Sequence, residues 1–244
     1  MKETFQIIKK SVVNLCKNPI LILPSLIILI MFFLISKTSV RINSYLSLNN
    51  LNNAVFSTSW LALFVLISLL IISFLFSGLI GASSVTLKRK ATLKDLFVFG
   101  KKYWLKNFVA IFLILIISDL VFFASLYSSF YIGKTVNLSL RPAQALFFLA
   151  LFIGMALVVI FFTYSSFFLI IKNLSIRNSI KSSFRFVKSN YIHTLALLLI
   201  FFVVYWLLEF LEFIHPYLSE IVTSLILVPL LALALSITLI DHKI

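Results

Sequence analysis

Between Asn18 and Ser36 the chain carries no charged side chain, and neither do residues 42–87, 142–171, 189–208 or 221–240. A further run, 107–131, is interrupted only by Asp119. A helix needs roughly 20 mostly apolar residues to cross a bilayer, and lipid tolerates only structures that satisfy their own backbone. The apolar stretches give six spans at about 18–36, 54–82, 107–131, 144–171, 190–213 and 217–240. The second and fourth exceed the minimum and should tilt or project. With 62% apolar and 11% charged residues, a water-soluble domain, at about 45–50% and about 25%, is excluded. The 27 Phe beside only 5 Gly and 5 Pro exclude a disordered or fibrous chain. The expected fold class is therefore all-α, a polytopic integral membrane helical bundle forming one domain over 1–244. The longest segments between spans, about 37–53 and 83–106, are too short to bury a core of their own.

Charge then sets orientation. All but four of the 21 basic residues fall before span 1, in 83–106, in 172–189 or in the tail; the exceptions are Lys37, Arg41, Lys134 and Arg141. By the positive-inside rule both termini are cytoplasmic, and the chain is expected in the cell membrane. The net charge of +14 thus reads as topology, not as a nucleic-acid footprint. The N-terminal lysines and the apolar run behind them look superficially like a signal peptide. That run lacks a small-residue cleavage site and continues through Phe33-Leu34-Ile35-Ser36-Lys37, so it reads as an anchor that is kept.

The basic segments ahead of spans 1, 3 and 5 are alike. Ser11 and Asn18, Gly100 and Asn107, and Ser183 and Asn190 each pair a small residue with an asparagine seven positions later, directly before an apolar span. The offsets are 89 and 83 residues, which suggests three repeats of an amphipathic helix plus a hairpin, over about 3–82, 91–171 and 175–240. In the first lead helix Phe5, Ile8, Val12 and Leu15 form an apolar stripe, and in the third Ile176, Ile180, Phe184 and Val187 do. The second opens on Thr92-Leu-Lys-Asp95, a capping-box pattern, and carries Tyr103 and Trp104. Such helices are expected to lie in the membrane plane, drawn to anionic lipid by about 1 kcal/mol per basic residue near the surface. The candidate anionic-lipid contacts are Lys9, Lys10, Lys17, Lys101, Lys102, Lys106, Arg177, Lys181, Arg185 and Lys188. The plainer alternative is that they only set topology and brace the bundle. A membrane or cytoplasmic protein partner is the other candidate for this face; nucleic acid is not.

Small residues should mark where helices pack: Ser73, Ser77, Gly78, Gly81 and Ala82 in span 2, Ala150 and Gly154 in span 4, Ala232 and Ser236 in span 6. Ser118, Ser125 and Ser129 share one stripe of span 3. Pro24 and Pro229 should kink spans 1 and 6, while Pro142 and Pro216 suit first turns.

No catalytic constellation is present. His-Glu-x-x-His, Gly-x-Ser-x-Gly and phosphate-loop patterns are missing, Cys16 is alone, and His193, His215 and His242 are scattered. The expectation is a chain that is not an enzyme, with no catalytic, metal or cofactor-binding residue. Four acidic residues remain in or beside spans. Glu209, Glu212 and Glu220 belong to the outer interface. Asp119 lies twelve residues into span 3, about 18 Å from the cytoplasmic end of a roughly 30 Å core. It is either a proton or cation site or a carboxyl hydrogen-bonded to serines of span 3 or a neighbour.

Asn18-Pro19 followed by Pro24, then Gly78-Leu79-Ile80-Gly81, then Phe99-Gly100-Lys101-Lys102-Tyr103-Trp104 resemble an uncharacterised, archaeal-type family of six-span membrane proteins. That family in turn is distantly similar to the membrane domain accompanying some bacterial glycerophosphodiester phosphodiesterases. The resemblance implies an all-helical membrane domain with amphipathic lead-in helices. It brings no catalytic residue, since in the phosphodiesterases catalysis belongs to a separate soluble domain without a counterpart here. Two functions are expected to compete: a non-enzymatic, membrane-organising or accessory protein with a basic cytoplasmic face, or a small secondary transporter using Asp119.

Overall fold

The computed structural model describes residues 2–46, 51–135, 140–215 and 217–241. The readings on Pro216 and His242 fall outside these residues. Helix α1 (Lys2–Lys17) is followed by a 3-10 turn at Pro19–Leu21 and by α2 (Ile22–Leu46). Next come α3 (Leu51–Val85), α4 (Leu93–Thr135) and α5 (Leu140–Phe162), which continues after a short break as α6 (Ser165–Ile171). The last elements are α7 (Ile176–Ser189), α8 (Tyr191–Glu209), α9 (Leu218–Val222) and α10 (Val228–Asp241). Among the described residues five helical stretches are long and apolar enough to cross a membrane, and a sixth is reached if α1 and the helix after it count as one bent span. The chain is an all-α polytopic bundle.

Asparagine ends two of the lead helices. Pro19 has no N–H to donate and disfavours the helical conformation at Asn18, which sits at φ −133°, ψ 65°. The chain turns there by 96°, so α1 lies nearly perpendicular to α2. Asn190 breaks α7 from α8 at a similar φ −121°, ψ 34°. In both places the side-chain amide donates back four residues, from Asn18 Nδ2 to Asn14 O at 2.9 Å and from Asn190 Nδ2 to Phe186 O at 3.2 Å.

The second unit departs from that expectation. Asn107 is interior to α4, whose 43 residues run unbroken, so no separate lead helix forms there. The cause is the groove on α3. A methyl at Gly78 would lie 2.7 Å from the Leu96 carbonyl oxygen, and one at Gly100 would lie 2.9 Å from the Phe74 ring. The Phe99 ring fills the space above Gly81. Ser73 Oγ donates to Trp104 O at 2.8 Å, and Asn107 Nδ2 reaches Ser73 O at 3.5 Å. These contacts hold residues 96–107 antiparallel to α3, hence in line with the rest of α4. The small residues of span 2 are therefore a packing face, as their spacing suggests.

Proline acts differently at its two interior sites. Pro24 is third in α2, within the first turn where its missing N–H costs little, and the bend lies at Asn18-Pro19 instead. Ahead of Pro229 the helix widens into a π-helical turn over Thr223–Leu227, since Pro229 has no N–H to offer the preceding turn. α2 runs past Lys37 and Arg41 to Leu46, so the expected loop at 37–53 is mostly helix. Charge ends contact with lipid, not a helix.

Burial concentrates at the basic end. Ser77–Ser83 of α3, Tyr164–Ile170 around α6 and Ala232–Leu239 of α10 are buried without interruption, and these three returning helices pack on one another. Around them the outgoing segments close a ring. The start of α4 lies on α3, α7 lies on α6, and α1 lies on α10, joined by Lys10 Nζ to Asp241 at 3.2 Å. Positions aligned between the three units share their environment: Ile7, Leu96 and Ser179 are buried, as are Ser11, Gly100 and Ser183. Farther out α4 and α5 form a hairpin of their own, with Val121 packed on Gly154 and Ser125 and Ser129 buried.

Asn18 also bridges units, because its Oδ1 accepts the Ala91 N–H at 3.0 Å. Asn18→Leu should therefore lower unfolding stability by about 1–3 kcal/mol, the cost of stranding a polar group. Asn190→Leu, which loses only local bonds, should cost under about 1 kcal/mol. Equal losses in chemical denaturation would show that Asn18 matters only as a helix stop.

Candidate lipid and partner interface

The ten basic candidates sit on α1, on the first half of α4 and on α7, and every one is exposed. Each lead helix buries a narrow face, which in α1 is Thr4, Ile7, Ser11 and Leu15, continued by Asn18 just after its end. The apolar stripe read from the sequence is split by this packing. Leu15 is buried, but Phe5 and Val12 point outward at 62% and 44% exposure. α7 behaves alike: Ser179, Ser183, Phe186 and Val187 are buried while Phe184 is exposed. Each helix thus has a core side, an outward apolar side and a basic side.

Few of the cations are tied up. Among the described residues the ion pairs are Lys10–Asp241, Arg89–Asp95 and His193–Glu3, the last at 4.0 Å. Lys10 alone of the ten candidates is in one. The Lys102 ammonium lies 5.0 Å from the centre of the Tyr103 ring.

The frame beneath these cations is well fixed. Arg89 grips Asp95 with both guanidinium arms, at 2.9 and 2.6 Å, and Asp95 Oδ2 accepts the Thr92 N–H at 2.9 Å. The expected capping box at the start of α4 is formed. Tyr103, 3% exposed, donates its hydroxyl to Asn173 Oδ1 at 2.9 Å. Asn173 adopts φ 53°, the left-handed conformation asparagine tolerates after a helix end. Ser183 Oγ donates to Phe161 O at 2.6 Å and ties α7 to α5. The small-residue and asparagine positions carried a signal in the sequence; the Tyr103–Asn173 link did not, because its partners are far apart in the chain.

A small apolar cleft of about 40 Å³ opens below the elbow between α1 and α2. Leu23, Pro24 and Ile27 of α2, Phe74 and Gly78 of α3, and Leu96 and Phe97 of α4 line it. Lys17, Lys90 and Lys94 are exposed on the adjoining turns. Such an arrangement offers hydrocarbon contact beside positive charge, the two halves of a phospholipid.

The acidic residues are not gathered there. Asp119 is exposed on α4, and Ser118 donates to Ile114 O rather than to it. Among the described residues Asp119 has no hydrogen bond or ion pair within the chain. At the far end Glu209 and Glu212 share a shallow depression with Trp206, Phe210 and Phe213, and Ser219 Oγ donates to Glu212 Oε1 at 2.9 Å. No group of three or more His, Cys, Asp or Glu side chains among the described residues is placed to hold a metal ion. No family model, no curated protein and no solved structure matches the chain.

Proposed function

We propose that this chain is a non-enzymatic membrane protein, membrane-organising or an accessory subunit, whose basic cytoplasmic face engages anionic headgroups or an acidic partner. The observation that carries this is the exposure of all ten basic candidates on helices that ring a closed core, with one of them paired to a carboxylate. The right-angled elbow after α1 supports an in-plane helix, outward apolar side in the acyl boundary and lysines in the headgroups. Location in the cell membrane with both termini cytoplasmic belongs to the same reading, as does kinship with the archaeal-type six-span proteins. The transporter alternative draws no comparable support, because Asp119 is exposed on the outer side of α4 and not enclosed by the bundle.

Replacing Lys101, Lys102, Arg185 and Lys188 together by Gln should weaken association with anionic vesicles several-fold at low salt, with the difference shrinking at high salt. Co-sedimentation and lipid-dependent thermal shifts report it. Unchanged binding and unchanged stabilisation by anionic lipid would reduce these side chains to topology signals.

A further inference from the structure

We propose that the outward face of α4 centred on Asp119 docks a transmembrane helix of another protein, one carrying a Lys or Arg near the middle of its span. The proposal rests on the accessory-subunit part of the reading above and is independent of the lipid part.

Depth comes first. On α4 Asp119 is 13 residues from Lys106 and 15 from Lys134, about 20 Å and about 22 Å along the axis. It is therefore midway along a stretch with no other charge, whatever the exact position of the bilayer. Direction comes second. Ser125, Ser129 and Val121 point to the α5 side of the helix, whereas Asp119 is exposed on a stripe with Phe112, Leu115, Phe123 and Leu126. Ionisable groups at this depth ordinarily face a bundle interior or a wet cavity and pair with one another. Among the described residues Asp119 is exposed and has no ion-pair partner.

Charge complementarity then selects the occupant. A bare carboxyl against acyl chains is costly, and a cation at equal depth relieves it most directly. In a second copy of this chain the basic residue nearest in depth is Lys37, 19 residues past Asn18 where Asp119 is 12 past Asn107, so it lies about 10 Å farther along its span. Paired through the same face it would instead present an identical carboxyl. The exposed aromatic and leucine side chains one and two turns to either side supply a surface on which an apolar helix can pack.

The test uses the full-length chain in neutral phosphatidylcholine bilayers, where anionic headgroups play no part. The native Cys16 thiol is exposed and takes the donor dye. The probes are two acceptor-labelled synthetic oligoleucine helices, identical except for a single central Lys in one. Energy transfer should show the Lys helix binding about tenfold more tightly than the all-leucine control. That preference should vanish with Asp119→Leu and be largely lost with Asp119→Asn, which keeps the shape and removes the charge. Equal binding of both probes, or full retention by the Asn variant, would overturn the proposal. So would self-association of the wild-type chain that Asp119→Leu abolishes, an outcome assigning the face to a second copy. Preserved Lys-helix binding alongside failed anionic-lipid binding would separate this inference from the lipid reading.

Discussion

Gly78→Leu should leave little folded protein in detergent, and Gly78→Ala should lower the unfolding midpoint by on the order of 5–10 °C. The methyl of alanine alone would meet the Leu96 carbonyl oxygen at 2.7 Å. That atom belongs to the backbone of α4, so relief requires moving the whole helix, and with it the Ser73–Trp104 and Asn107–Ser73 bonds about two and three turns farther along α4. Overpacking of this kind costs about 1–3 kcal/mol, which for a chain of this size is several degrees. Gly154→Ala provides the contrast. There the obstructing atom is a methyl of the Val121 side chain on a lipid-facing hairpin, which can rotate or part, and the loss should be well under half as large. Thermal melts in which the two alanine variants behave alike would mean that the α3–α4 contact is no tighter than the α4–α5 one.

The second large effect is all or none. In a Cys16→Ser background, cysteines at Ser39 and Thr135 should react with a membrane-impermeant thiol reagent added to sealed cells. A cysteine at Ala91 should react only after the cells are opened. Ala91 adjoins the Lys88–Lys90 cluster and follows α3, whereas Thr135 ends α4 at the opposite extremity. The two sites therefore cannot share a compartment if α4 crosses the membrane. Labelling of the Ala91 variant in sealed cells would reverse the orientation given by the basic loops.

The membrane spans were legible because hydropathy reports contact with lipid, and five of the expected stretches reappear as long apolar helices. The small-residue faces were legible for a related reason: Gly78, Gly81 and Gly154 permit an approach that nothing larger allows. What stayed hidden depends on contacts between distant residues. Nothing local distinguishes Asn107, inside a continuous helix, from Asn190, at a break; the difference comes from α3 clasping residues 96–107. The face of α1 was misjudged by a fraction of a turn, because Ser11 and Thr4 turn inward in place of Phe5 and Val12. Depth marked Asp119 as unusual, but its outward direction follows from where α5 packs. Helix ends were misplaced for α2, whose Lys37 and Arg41 are compatible with helix though not with hydrocarbon.

The closing of the ring by α1 on α10 has a consequence for biosynthesis. α1 is made well before its seat, with 210 residues between Lys17 and Val228. At about 5–20 residues per second, α1 waits on the order of ten to forty seconds for its partner to emerge. During that interval the side of α1 that packs on α10 lacks its main cover. A helix with apolar and cationic sides can park at the membrane surface meanwhile, held by the same groups that later face outward. The insertion of α10 then docks a helix that has been lying in place throughout that interval, and the Lys10–Asp241 pair can form only when the final turn of α10 has been made.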